Sequence, residues 1–271
     1  MDEKLKLTIL GSCSGTEPMP GRHHTSIALE YDHRTYWFDA GENCAHAGHT
    51  GGVDLPATEA IFLSHTHIDH FGGMPNLLWT LGKLSGRSED VRRRLSGRTI
   101  EIFLPEMKLW KSIVGMATEG GNVSDGQCFY LEGACLQFDA QTFDDGIIFD
   151  RHGVTVTALH NGHRGTDRPH RSFSFRVEAG GKAIVYSGDV KHVSEVGPLL
   201  DYADMFLMET GHHAVEDVCT WLTESGKRID QLVFVHHGRA ILRDPVGELR
   251  KARAIFGENI MVADDGMALV L

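Results

Sequence analysis

Residues 64–70, Ser64-His65-Thr66-His67-Ile68-Asp69-His70, put three imidazoles and a carboxylate within six positions. His65 and His67 stand two apart, so in extended backbone their rings project to the same side. Asp69 and His70 follow where the chain turns toward a helix. Imidazole nitrogen and carboxylate oxygen together suit zinc and related divalent ions. A group of solvated polar residues at a strand end is the bland alternative, and it leaves such a density of metal donors unexplained.

Elements on either side must hold these donors. Ala60-Ile61-Phe62-Leu63 is a short apolar run with the character of a buried strand, and Phe71-Gly72-Gly73-Met74-Pro75-Asn76-Leu77-Leu78-Trp79 is a Gly-rich turn entering an apolar helical pattern. Upstream, Leu5–Leu10 alternates as a strand and runs into the small-residue loop Gly11-Ser12-Cys13-Ser14-Gly15-Thr16, which either lets backbone approach a ligand or serves as a plain connection. Pro18-Met19-Pro20-Gly21-Arg22-His23-His24 leads to strands at Thr25–Glu30 and Thr35–Phe38, the latter ending in Asp39-Ala40-Gly41-Glu42.

Residues 82–153 carry the weakest pattern. Val91–Leu95 reads as a solvated basic helix face, Thr99–Pro105 as a strand, Glu106–Ala117 as a helix and Gly120–Gly126 as a loop, with short strands to Phe149. A second β-layer is expected in this region. Val154–Leu159 is a clean strand running into His160-Asn161-Gly162-His163, and Arg164–Arg171 holds three arginines and His170 in a polar loop. The strand Gly181–Tyr186 delivers Ser187-Gly188-Asp189, Met205–Met208 leads to Glu209-Thr210-Gly211-His212-His213, and Leu232–Val235 ends at His236-His237-Gly238-Arg239. Residues 214–226 and 245–256 have helical spacing.

Composition bounds the class. A chain of 271 residues, 41% hydrophobic and 23% charged, has the make-up of a soluble globular protein with a substantial core. A net charge of −11 opposes non-specific affinity for nucleic acid, which needs a basic face, and leaves room for a basic pocket. Met1-Asp2-Glu3-Lys4 is polar, with no apolar signal core, and no run reaches the length of a membrane span. Five cysteines form no C-x-x-C pair and no disulfide-framework spacing, which predicts reduced thiols in a cytoplasmic protein.

The stretch from His65 to His70 matches the H-x-H-x-D-H signature of the metallo-β-lactamase superfamily, and the resemblance spans the chain. It implies one domain over residues 1–271 with a four-layer αββα fold and a dinuclear site. His65, His67 and His163 would hold one metal, Asp69, His70 and His236 the other, and Asp189 would bridge the two. Strand register favours His163 over His160 and His236 over His237. The ions implied are zinc, or else manganese or iron, with a metal-bound hydroxide as nucleophile oriented by Asp69.

The N-terminal order of strand, Gly-rich turn, Pro20-Gly21-Arg22, strand, and strand ending in Asp39-Ala40-Gly41-Glu42 resembles ribonuclease Z and related phosphodiesterases. By that resemblance Asp39 supports the metal site from behind, a helix N-cap being the alternative. Glu209 and His212 would sit on the leaving-group side, with His212 as proton donor, unless His212 and His213 merely begin a surface helix. The chain departs from ribonuclease Z in lacking a Gly-Pro-rich inserted arm. A small or cyclic phosphodiester is therefore favoured over transfer RNA. The alternatives are a lactone, ester or amide hydrolase on the same fold and a non-catalytic binding or sensing protein. A homodimer is in keeping with the resemblance.

Overall fold

Tyr36, Trp37 and Phe38 are consecutive, buried, and directed to opposite faces of one strand, which therefore needs apolar cover on both sides. That demand recurs along the chain and sets its layering. The computed structural model describes residues 5–15, 21–117, 128–129 and 135–271. The loop expected at Gly120–Gly126, the N-terminal Met1–Lys4, Thr16 and Pro18–Pro20 lie outside the described residues.

The first sheet holds β1 (Lys6–Gly11), β2 (Ser26–Tyr31), β3 (Arg34–Ala40), β4 (Thr58–Phe62), β5 (Thr99–Phe103), β6 (Cys128–Phe129) and β7 (Gln137–Gln141). The second holds β8 (Gly146–Arg151), β9 (Val154–His160), β10 (Phe173–Ala179), β11 (Lys182–Tyr186), β12 (Tyr202–Thr210), β13 (Arg228–His237) and β14 (Ile260–Val262). A last strand, β15 (Met267–Val270), returns to the first sheet beside β1. The orders are β15-β1-β2-β3-β4-β5-β7-β6 and β14-β13-β12-β11-β10-β9-β8.

Between the sheets lies an aromatic-rich core. Phe62 stacks on Phe38 and Phe103 with ring centroids 5.1 and 4.8 Å away, and meets Phe149 of the second sheet edge-on at 5.8 Å. The outer face of the first sheet is covered by α1 (Cys44–Thr50), α3 (Met74–Leu84) and α5 (Met107–Ala117), with α2 (Ile68–Phe71) and α4 (Glu89–Leu95) between them in sequence. In α3, Met74, Leu77, Leu78 and Leu81 recur at helical spacing and are buried, while Pro75 occupies the first turn, where its missing N–H costs nothing. The outer face of the second sheet is covered by α6 (Val215–Ser225) and α8 (Pro245–Phe256), with the short α7 (Arg239–Arg243) before α8. Helix, sheet, sheet and helix make the four-layer αββα arrangement, as expected.

One expectation is corrected. Within residues 82–153, β5 and β7 extend the first sheet by parallel pairing onto β4, and only β8 belongs to the second sheet. Short strands of this kind pair wherever an edge is open, and β4 presents that edge. No helix among the described residues is long and apolar enough to cross a membrane, and no described cysteine pair forms a disulfide.

The parallel pairs β3–β4–β5 and β11–β12–β13 bring the C-terminal ends of their strands together in each sheet. Loops leaving those ends carry the clustered histidines, the usual location of sites in sheets with parallel strands. Replacing Phe62 by alanine removes the ring on which three others rest. It is expected to cost about 3–5 kcal/mol, read as a lower urea midpoint with an unchanged slope; a loss below about 1 kcal/mol would mean that the ring is not central to the core.

Candidate metal centre

Strand alternation alone would not assemble this site; two bulges do. On β3, Phe38 and Ala40 pair with adjacent residues Ile27 and Ser26 of β2, so Asp39 is an extra residue, with φ at +55°. On β13, Val235 and His237 pair with Glu209 and Thr210, leaving His236 extra, with φ at +48°. In each case the left-handed residue turns its side chain out of the strand's two-residue alternation and into the gap between the sheets' ends.

Asp39, fully buried, accepts four hydrogen bonds. Ser64 N reaches Oδ1 at 2.7 Å, and Ser64 Oγ, His70 Nδ1 and Tyr186 OH each reach Oδ2 at 2.7 Å. These contacts, one of them to His70, are not those of a helix N-cap, since the helix that follows starts later, after Asn43. Because His70 Nδ1 donates to Asp39, His70 Nε2 is the bare nitrogen and faces the cluster. Ser64 Oγ, having spent its proton on Asp39, accepts from His65 Nδ1 at 3.0 Å, which leaves His65 Nε2 bare. Thr25 Oγ1 donates to Cys13 O and sits 2.7 Å from His236 Nδ1, with the same result for His236.

The inward-facing nitrogens converge in two groups. His65 Nε2 and His163 Nε2 lie 2.9 and 3.2 Å from His67 Nδ1, and each is 3.6–3.7 Å from Asp189 Oδ2. His70 Nε2 and His236 Nε2 both lie 3.3 Å from Asp189 Oδ1, and 3.6 and 4.0 Å from Asp69 Oδ2. Donors around a tetrahedral ion with bonds of ~2.0–2.1 Å stand roughly 3.3 Å apart, so both spacings suit divalent ions. The polar accounting agrees. Asp189 Oδ1 and His70 Nε2 are buried with no hydrogen-bond partner, a cost that a cation between them removes.

Electrostatics point the same way. Burial, reinforced by neighbouring imidazoles, holds His65 and His236 well below the usual histidine range and brings His163 down to about 4. These rings are neutral and keep the lone pairs that ligation requires. His70 goes the other way. Burial lowers it, but Asp189 and Asp39 outweigh that and raise it well above the ordinary value, so this spot calls for positive charge.

The duplicate histidines belong to other networks. His160 Nδ1 pairs with Asp145 at 2.6 Å, and its ring stacks on His170 at 3.8 Å, nearly parallel, outside the seven-residue cluster. His237 lies 2.8 Å from Ala263 O and 3.2 Å from Thr210 Oγ1, and burial pushes it down to about 4.

Glu209 is the penultimate residue of β12 rather than part of a turn, and it is fully buried. Its carboxylate accepts from the backbone N–H of His212 at 2.9 Å and lies 3.0 Å from His212 Nδ1. That hydrogen bond, against burial, raises His212 to about 9. His212 sits outside the helix that begins at Val215, half exposed at the cluster's rim, its ring centroid 5.0 Å from that of His163. Gly15 belongs to the site as well. A Cβ there would come within 2.6 Å of the Asp69 carboxylate, so the first loop does approach the cluster through backbone.

Thr25, Ser64 and Arg164 touch the donors and Tyr186 touches Asp39, and no short motif in the sequence marks any of the four. Only Tyr186 carried a usable signal, a phenol in a buried strand whose hydroxyl needs a partner. Of the basic loop, Arg164 Nη1 lies 2.7 Å from His67 Nε2, while the exposed Arg168 pairs with Asp144 and Arg171 donates to Arg164 O.

Residues 34–237 match the family model described as Beta-lactamase superfamily domain. A ribonuclease Z of Methanosarcina acetivorans is 24% identical over 305 aligned residues, covering 98% of this chain and 97% of that protein. A ribonuclease Z of Treponema pallidum is 39% identical over 142 residues, covering 50% and 45%. Among solved structures, the metallo-beta-lactamase fold protein YhfI from Bacillus subtilis superposes with a TM-score of 0.75 at 16% identity, over 99% of this chain and 100% of that one. The short form of human tRNase Z superposes with a TM-score of 0.65 at 21% identity, over 97% and 98%. These two likenesses concern the fold.

His163→Ala and His236→Ala are expected to lower bound metal measured by elemental analysis, whereas His160→Ala and His237→Ala keep it. Metal loss on the second pair alone would reverse the assignment. Asp39→Asn should weaken metal affinity about 10–100-fold in a chelator competition, since the amide cannot accept from all the groups now converging there.

Proposed function

Since the chain belongs to the beta-lactamase superfamily and is a metal-dependent hydrolase, we propose that it cleaves phosphodiesters at a two-metal site. His65, His67 and His163 hold one ion, Asp69, His70 and His236 the other, and Asp189 bridges. The observation that carries this reading is the division of Asp189, whose Oδ2 faces one histidine group while Oδ1 faces the other. Histidine-rich donors with carboxylates favour zinc, and manganese or iron can use the same set. Two such ions supply Lewis acidity at the phosphoryl oxygens and an activated water, the arrangement suited to in-line displacement.

The chain's own residues divide the remaining work. Asp69 is placed to accept a hydrogen bond from the attacking water and orient it. His212, held by Glu209 through Nδ1, keeps its other nitrogen available to protonate the departing alkoxide. Arg164 and His212 place positive charge at the rim of an otherwise acidic protein, which suits a small anionic substrate. The ribonuclease Z relatives support phosphodiester chemistry, and the acidic net charge of −11 favours a small or cyclic diester over a long nucleic acid. We read residues 1–271 as one domain carrying this single site.

The wild-type protein should hydrolyse bis-p-nitrophenyl phosphate in preference to lactones and simple esters; the opposite preference would replace the phosphodiester reading by a lactone or ester hydrolase. His212→Ala should retain both metals and lose about 10²–10⁴-fold in turnover on diesters with poor leaving groups. The loss should be far smaller on nitrophenyl diesters, whose leaving group needs no proton. Equal losses on both would mean that His212 is not the acid.

A further inference from the structure

Three of the cluster's rings share one wiring rule, and His67 breaks it. His65, His70 and His236 each set the outward nitrogen, Nδ1, against an oxygen that accepts its proton, which leaves the inward nitrogen bare. The outward nitrogen of His67 is Nε2, and what meets it, at 2.7 Å, is Nη1 of Arg164. A guanidinium has donors only, so His67 Nε2 must be the acceptor in this contact. A neutral imidazole has one bare nitrogen and one N–H. With Nε2 bare, the proton sits on Nδ1, the nitrogen that faces His65 Nε2 and His163 Nε2 at 2.9 and 3.2 Å.

Metal ligation through Nδ1 needs the lone pair at that nitrogen. The Arg164 contact and the metal bond therefore require opposite tautomers of the same ring. Once Nδ1 is bound to metal, Nε2 carries the proton, and two N–H donors would point at each other across 2.7 Å. The arginine side chain must then leave the ring.

We propose that Arg164 is a metal-released anion clamp: it competes with metal for His67, and when metal binds its guanidinium turns to the phosphoryl oxygens of the substrate. The main chain is built to stay in place while the side chain moves, since Arg164 N donates to Ser172 Oγ at 3.0 Å and Arg164 O accepts from Arg171 at 2.8 Å. Against His67 the guanidinium is also poorly satisfied, because Arg164 Nε is buried with no partner. A phosphoryl group offers two oxygens to the planar fork. The half-buried Arg164 follows His163, whose ring adjoins that of His212 on the leaving-group side. The identity of the anion rests on the phosphodiester reading above; the competition for His67 does not.

The test uses Arg164→Ala, with Arg164→Met as a second variant that keeps most of the side chain's bulk, and compares thermal unfolding first to establish that both fold. Zinc affinity, read by competition with a chromophoric chelator, should tighten several-fold in both variants, the order expected when one charge-assisted hydrogen bond no longer opposes ligation. In the zinc-loaded proteins, inhibition by inorganic phosphate should weaken about tenfold. KM for bis-p-nitrophenyl phosphate should rise by a similar factor while kcat changes little. Zinc affinity that is unchanged or weaker in both variants overturns the competition, and unchanged phosphate inhibition with tighter zinc binding overturns the clamp. If the wild-type protein cleaves no diester yet the variants bind zinc more tightly, the substrate reading has failed and the competition stands.

Discussion

A single buried carboxylate, that of Asp39, holds the site in register with the fold. A charge removed from water needs directed partners, and these come from three separate places: Ser64 at the end of β4, His70 in α2 and Tyr186 at the end of β11. The first two belong to the first sheet and its junction; the third reaches across from the second sheet. The same hydrogen bonds that satisfy Asp39 fix the tautomers of His65 and His70, so the cluster's electronic readiness and the docking of the two sheets are one arrangement.

Parallel pairing does the coarse placement and local irregularity the fine. The shared direction of β3–β5 and of β11–β13 gathers the strand ends, but a regular strand can present a side chain only to one of two faces, both occupied here by apolar cores. The donors have to emerge between the faces. His236 and the supporting Asp39 do so through one-residue bulges, His65, His67, His163 and Asp189 from the connections that follow a strand, and Asp69 and His70 from the short α2.

Much of this was legible in the chain. The spacing from His65 to His70, the strands that precede it, Ser187-Gly188-Asp189 and the helices at 215–225 and 245–256 all have patterns that survive into the structure. The failures have physical causes. The strands within residues 82–153 are short and carry no signal for which edge they join, so their sequence does not tell the first sheet from the second. His236 faces the cluster and His237 does not, although the bulge at His236 breaks the alternation that would tell them apart. A carboxylate after the apolar run Met205–Met208 has the look of a turn, yet β12 continues through Glu209, whose charge is met by backbone N–H groups and His212. Arg164 was visible only as one of several loop arginines, since its contact with His67 spans 97 residues of sequence.

The two bulges carry a consequence for how this chain can change over generations. A non-glycine residue at left-handed φ costs on the order of 1–2 kcal/mol, somewhat less for aspartate and histidine, which tolerate that region better than most types. Glycine at position 236 would relieve the backbone and, by that measure alone, make a sturdier protein, but it would erase the side chain for whose sake the backbone bends. Stability and chemistry therefore pull that position in opposite directions. At position 39 they pull together, because glycine there would strip the buried Ser64, His70 and Tyr186 of their shared acceptor.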